Sequence, residues 1–380
     1  MSPQMEEFVK AKPRIDFLIT HLTLDVISGS WKSCFCKLLC VSFNILYFFL
    51  VFLHLKNIKT FELSFNTLIT LLTTFVISGY GIRIFVGFFK REKFESLIEN
   101  IKKLYKEQEE DEELERILRK HLTDSLRIFQ LCYRWGIYIY FVAGFLCSSY
   151  FRLNEDYGLM YELPFIASDN FKDDILWKEF PYIVQNIFYM NLTTSTILLD
   201  IGILFLSLQV IAEINILSDY IKLLNEKIKT DPKILRKIIE RHCSIIENLN
   251  LLSEITFESS ILQLILTCVA LLFGMTFLIT YAKGLGNYAI IICGGGLGLP
   301  LCILGQFIQV KADILSETLY QTNWHELRLK DQKMFLIILG MAQREYGLKA
   351  AGVYDINLYT FVQIFKIAFS YCAVLYSLSQ

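Results

Sequence analysis

The chain has 380 residues, 54% of them hydrophobic and 20% charged, with 31 Phe and 20 Tyr and a formal net charge of −1. Its apolar residues come in blocks too long for soluble cores, since about 20 of them carry a helix across a bilayer. A soluble multidomain protein is excluded, and no basic patch is large enough to suggest nucleic acid. The class is an all-α integral membrane protein.

Met1 to Arg14 is charged and lacks the apolar core and cleavage site of a signal peptide, so the first apolar run is expected to act as an internal signal. Residues 13–31 predict an amphipathic helix. Ile15, Leu18, Ile19, Leu22 and Val26 share one face, with Arg14, Asp16 and His21 off it. With Trp31 marking the membrane edge, this helix is expected in the interface, packed on the bundle.

Seven transmembrane helices follow: Cys34 to Leu53, Thr67 to Phe89, Gln130 to Tyr150, Pro181 to Gln209, Ser259 to Tyr281, Gly286 to Val310 and Asn357 to Leu378. The connections on one side, with the N-terminal segment, hold 28 Lys and Arg, against six on the other. The positive-inside rule therefore puts the N-terminus in the cytoplasm and the C-terminus outside. This is the reverse of a G-protein-coupled receptor. The chain divides into a cytoplasmic N-terminus (1–33), spans one to six with their cytoplasmic extensions (34–310), cytoplasmic helices (311–356) and a last span (357–380).

The cytoplasmic connections predict helices rather than loops. Phe94, Leu97, Ile98, Ile101 and Leu104 repeat at helical spacing, as do Ile234, Leu235, Ile238, Ile245, Leu249 and Leu252. Span four is expected to continue from Ile211 to Leu224, Asp231-Pro232 to start a new helix, and span six to extend over 312–329. The acidic run Glu107 to Glu115 reads as a solvated face. The acidic external loop, Phe151 to Phe180, either draws cations towards a mouth or is a soluble lid.

Within the spans, Gly79, Gly81, Gly136, Gly144 and the Gly294–Gly298 cluster predict close helix approach. Arg83 and Arg134 are expected to snorkel to the inner interface. The ten cysteines read as free thiols acting mostly as small hydrophobes, and Cys34-x-Cys36 lacks the partners of a metal site. The five His have no ligand spacing and no nucleophile motif appears, so neither an enzyme nor a cofactor is expected. The sequon Asn191-Leu192-Thr193 falls in an apolar span, where glycosylation is not expected.

The last span carries a polar stripe. Lys366, Ser370, Val374 and Ser377 share one helical face, and ionisable residues inside a membrane face protein or water rather than lipid. Either the stripe lines a pore, or Lys366 turns to a neighbouring helix and pairs there.

Ser316-Glu317-Thr318-Leu319-Tyr320, Trp324, Gln343-Arg344, Leu348-x-x-Ala351-Gly352, Phe361, Lys366, Ser370-Tyr371 and Leu375 together resemble the C-terminal signature of the insect odorant receptors. The inverted seven-span topology is similar to that family over the whole chain. Thr360-Phe361-Val362-Gln363-Ile364-Phe365 departs from the last-span motif of the related gustatory receptors. The short second cytoplasmic connection resembles a variable tuning subunit rather than the obligate co-receptor.

The resemblance implies an odorant-gated, non-selective cation channel, assembled as a tetramer with co-receptor subunits in the plasma membrane of sensory neurons. It implies a small volatile hydrophobic ligand, contact with membrane lipid, and cytoplasmic helices that anchor the tetramer. Each subunit would line the pore with its last span, with Val374 at the hydrophobic gate and Ser377 at a neighbouring ring. The odorant would sit in the outer half of the bundle. There Phe141, Phe145 and Ser148 share a face of span three, and Phe75 and Ser78 lie on span two. Met190 and Thr194 lie on span four and Tyr288 at the outer end of span six. Such a site is mostly aromatic, with a few hydroxyls to orient a ligand. A secondary transporter is the competing class, but the sequence has no internal repeat and no matched pair of interrupted spans.

Overall fold

A computed structural model of the chain describes residues 2–25, 31–57, 65–153, 175–227, 233–281, 286–344, 346–350 and 354–379. These form ten α-helices: α1 Pro3–Leu22, α2 Trp31–Asn57, α3 Phe65–Phe89, α4 Arg91–Lys106, α5 Glu112–Leu153, α6 Ile175–Lys227, α7 Lys233–Tyr281, α8 Gly286–Tyr320, α9 Leu329–Ala342 and α10 Leu358–Ser379. A short antiparallel hairpin, β1 (Lys349–Ala350) with β2 (Tyr354–Asp355), precedes α10. Val26, Asp231-Pro232, Ala351-Gly352 and the acidic loop from Asn154 to Asp174 lie outside the described residues.

All seven expected spans fall in helices. Portions of α2, α3, α6, α7 and α8 are long and apolar enough to cross a membrane. The third span occupies the second half of α5, where tyrosines and Arg134 dilute the hydropathy, and the seventh is α10, apolar over Leu358–Val374. The extensions are continuous with the spans, α6 running for 53 residues and α7 for 49, but that of α8 stops at Tyr320, short of the expected 329, and a separate helix, α9, starts at Leu329.

The amphipathic helix begins about ten residues earlier than its period suggested. Phe8 and Ala11 extend the buried stripe of Ile15, Leu18, Ile19 and Leu22, so α1 lies against α5 and α6. His21, expected off that stripe, is instead 2% exposed, with Nε2 3.2 Å from the Tyr80 hydroxyl. Besides α5 and α6, α1 also meets α3 and α4, so more of its circumference is covered than a single apolar face implies.

The core is dense below the membrane. α4 buries Phe94, Leu97, Ile98, Ile101, Leu104 and Tyr105 on one face, with Glu92 in its first turn and Lys103 and Lys106 in its last, complementing the helix dipole. Leu118, Leu122 and Phe129 of α5 meet Phe205, Val210, Leu217 and Tyr220 of α6 in the same cluster. The acidic run is not a solvated face throughout. Glu109 is 4% exposed at its side chain, with Lys237, Arg241 and the Tyr220 hydroxyl as partners, and Glu115 accepts from Gln4 Nε2 at 3.0 Å. A charge run turns inward where basic side chains of another helix lie opposite, which local composition does not reveal.

Gly305 of α8 lets the C-terminal hairpin dock. A Cβ there would run into the Ile356 carbonyl, and Ile356, 1% exposed, donates its N–H to Leu348 O at 2.9 Å. Gly305→Ala is expected to cost about 1–3 kcal/mol, because the blocking atom is backbone and cannot rotate away. Thermal unfolding of the detergent-purified variant measures this, and an unchanged midpoint would show that the hairpin yields.

Candidate functional site

The last helix starts from a fixed point. Asn357 caps α10: its Oδ1 accepts the Thr360 N–H at 3.0 Å, while the Thr360 hydroxyl donates to Asp355 O at 2.6 Å. α10 then packs on α7 and α8. Phe361 and Phe365, 5.6 Å apart at their centroids, lie over Gly295, whose missing Cβ would sit 3.5 Å from Phe365 and 3.9 Å from Phe361. Ala368 is fully buried on the same side.

The stripe lies on the uncovered side. Lys366, Ser370, Val374 and Ser377 are all exposed, Val374 at 56%. Among the described residues Lys366 forms no ion pair, and Ser377 donates back to Val374 O of its own helix at 2.8 Å.

The eight residues expected around the ligand are spread across the outer bundle. Phe75, 45% exposed, faces Phe273 of α7 with centroids 6.5 Å apart. Ser78 lines a groove between α2 and α3 with Asn44, Ile45, Phe48 and Gly81, and the six others whose side chains are described do not line that groove. Phe141 and Phe145 are each 48% exposed on α5. Met190 and Thr194 are half-buried on α6, beside the close approach of Gly144 to Thr193. Tyr288 is exposed at the start of α8, and the Ser148 side chain lies outside the described residues.

A polar node that the sequence reading missed sits deeper in the bundle. Arg83 of α3 is 8% exposed and does not snorkel. Its Nη2 donates to Asp200 Oδ1 of α6 at 2.6 Å and its Nη1 to Gln263 Oε1 of α7 at 3.0 Å. Gln263 Nε2 in turn donates to the Leu297 carbonyl of α8. Arg83 precedes Lys90 by seven residues, roughly 10 Å of helix, and meets a partner sooner than it meets water. A signal was present: Asp200 is the one acidic residue between Glu179 and Glu213, and a lone acid in an apolar span needs a cation nearby.

Helices spanning a membrane, an uncovered polar stripe on the last of them and a large cytoplasmic helical base define a multi-pass membrane receptor of the inverted seven-helix type. A family model described as 7tm Odorant receptor matches residues 60–369, and the chain belongs to that family. Odorant receptor 85f of Drosophila melanogaster is 22% identical over 306 residues, 78% of this chain and 77% of that protein. Odorant receptor 33b of the same species is 28% identical over 151 residues, covering 39% and 38%. Among solved structures, the insect olfactory receptor OR5 from Machilis hrabei in complex with eugenol matches with a TM-score of 0.75 at 13% identity, over 99% of this chain and all of that one. OR5 without a named ligand matches at 0.68, also at 13% identity, over 97% and 99%. The fold is thus the all-α, seven-helix fold of the insect odorant receptors, and the protein is a receptor rather than an enzyme.

Proposed function

We propose that this chain is the odorant-binding subunit of a heteromeric, odorant-gated, non-selective cation channel. The observation that carries it is the uncovered stripe of α10. One side of that helix is seated on α7 and α8 through Phe361, Phe365 and Ala368, while Lys366, Ser370 and Ser377 are left without cover. A cation and two hydroxyls on a membrane helix require protein or water, and a water-filled pore between subunits supplies both. Val374, apolar in that row, is the gate that closes by dewetting. Co-receptor subunits complete the ring, with the cytoplasmic helices as its anchor, in the plasma membrane of sensory neurons.

The ligand is a small, volatile, apolar molecule, bound in the outer bundle among Phe75, Ser78, Phe141, Phe145, Ser148, Met190, Thr194 and Tyr288. Eugenol, named with the OR5 structure, is a molecule of that kind, an aromatic body with one hydroxyl. Binding tighter to the open state shifts α10 away from the pore axis.

Whole-cell current tests the reading. Cells expressing this chain with a co-receptor of the family are expected to give a cation current under a panel of volatile phenols, esters and alcohols that includes eugenol, with neither chain alone responding. Uptake of a volatile without current from the assembled pair would favour a transporter instead.

A further inference from the structure

Resting on the channel reading, we propose that Asp200, Arg83 and Gln263 form a relay that sets the Pro300 turn of α8 and, through it, the seat of the pore helix α10. Gln263, Arg83 and Asp200 are positioning residues here, since none touches the stripe itself.

Pro300 stands inside α8 and has no N–H to give, so the Gly296 carbonyl four residues back loses its helical donor, and the ring crowds that turn. Side chains from two other helices hold the carbonyls at this point. The Tyr140 hydroxyl of α5 donates to Gly296 O at 3.3 Å, and Gln263 Nε2 donates to Leu297 O. Gln263 is itself held, because its Oε1 accepts from Arg83, whose other nitrogen is bound to Asp200. One continuous line of hydrogen bonds thus joins α6, α3, α7 and the weakened turn of α8. An amide is suited to the middle of it, with one end to accept and the other to donate.

Two further features make the turn adjustable and give its movement a destination. A cavity of about 80 Å³, lined by Arg83, Asp200, Gln263, Ser259 and Pro300 among others, lies beside it, and Arg83 Nε is buried in the node with no acceptor among the described residues. Space next to a weakened turn lets the helix change its bend without a steric clash. On the α10 side, Gly295 is the surface on which Phe361 and Phe365 rest. A shift of α8 at Gly295–Leu297 therefore displaces the first turns of α10 at Phe361 and Phe365, thirteen and nine residues before Val374.

The test uses Gln263→Leu, which keeps the side chain's bulk and the Arg83–Asp200 pair but removes both of the relay's central bonds, and Tyr140→Phe, which removes the hydroxyl that donates to Gly296 O. Hydrogen–deuterium exchange is followed in the purified, ligand-free full-length chain, and ligand-independent current per surface-labelled complex is followed in cells with the co-receptor. Gln263→Leu is expected to speed exchange about tenfold in α8 around residues 294–304 and in α10 around 358–366, the scale of one or two buried hydrogen bonds. The rest of the bundle should be unchanged, and Tyr140→Phe should act in the same place more weakly. Basal current should change with it, which a purely structural role, altering only the number of complexes, would not produce.

Exchange unchanged in α10 overturns the relay, whatever the currents do. If Gln263→Leu fails to fold, the same criterion is applied to Tyr140→Phe. A wild-type pair that passes no current under any volatile overturns the channel reading instead, and the relay is then judged on exchange alone.

Discussion

Glu109→Gln is expected to lower the unfolding free energy of the detergent-purified protein by about 3 kcal/mol. That is the low end of the cost of removing one partner from a buried ion pair. The carboxylate is 4% exposed and meets Lys237, Arg241 Nη2 at 2.8 Å and the Tyr220 hydroxyl at 2.9 Å, while Arg241 also stacks over the Tyr220 ring at 4.9 Å. The amide keeps the shape and one acceptor but leaves two cations facing a neutral group. Arg241 retains Glu107 at 3.1 Å, which limits the loss.

The same cluster sets a dependence on pH. Burial pushes the Glu109 carboxyl up, but the hydrogen bonds from Lys237, Arg241 and Tyr220 and the charge of Arg241 outweigh it, and its pKa ends below the ordinary 4.5. A depressed carboxylate stabilises the fold fully above its unfolded-state pKa. It loses that contribution as pH falls from about 4.5 through the lower folded-state value. Thermal midpoints measured from neutral to acid pH should therefore fall for the parent protein below pH 4.5 and fall less for Glu109→Gln. Parallel curves for the two proteins would mean that the cluster is solvated and contributes little.

Lys366→Glu is expected to change what the channel passes. In a water-filled pore, a fixed charge about 5 Å from a permeant ion contributes about 0.8 kcal/mol, or about fourfold in local ion occupancy. Reversing the sign removes a repulsion and adds an attraction, so local cation occupancy should rise by up to about sixteenfold at low ionic strength and by less in high salt. The reversal potential of the co-expressed pair under a salt gradient reads this directly. A reversal potential and unitary conductance identical to wild type would place Lys366 against a neighbouring subunit rather than in the pore.

Much of the architecture is legible along the chain because membranes impose length. Thr67 to Phe89 and Gly286 onward begin or end within a few residues of α3 and α8, and the starts at Ser259 and Pro181 are absorbed into longer helices rather than displaced. The stripes of α4 and α7 were visible for a similar reason, as a 3.6-residue period records which side is buried wherever one side stays wet. Period alone names a face, however, and not what the face meets. Phe141 and Phe145 do share a side of α5, yet that side is half open, and Ser78 on α3 lines a groove towards α2.

What the sequence by itself determined is the seven spans, their orientation across the membrane and the polar row Lys366, Ser370, Val374 and Ser377. These follow from hydropathy, charge asymmetry and helical geometry, all of which act within about twenty consecutive residues. Only the tertiary structure decided that Arg83 pairs with Asp200, that Glu109 turns inward to Lys237 and Arg241, and that Gly305 admits the Ile356 backbone. Each joins residues 51 to 132 positions apart, brought together by packing. The rotation and depth of one helix against another are set by the summed shape of many side chains, which no local pattern encodes.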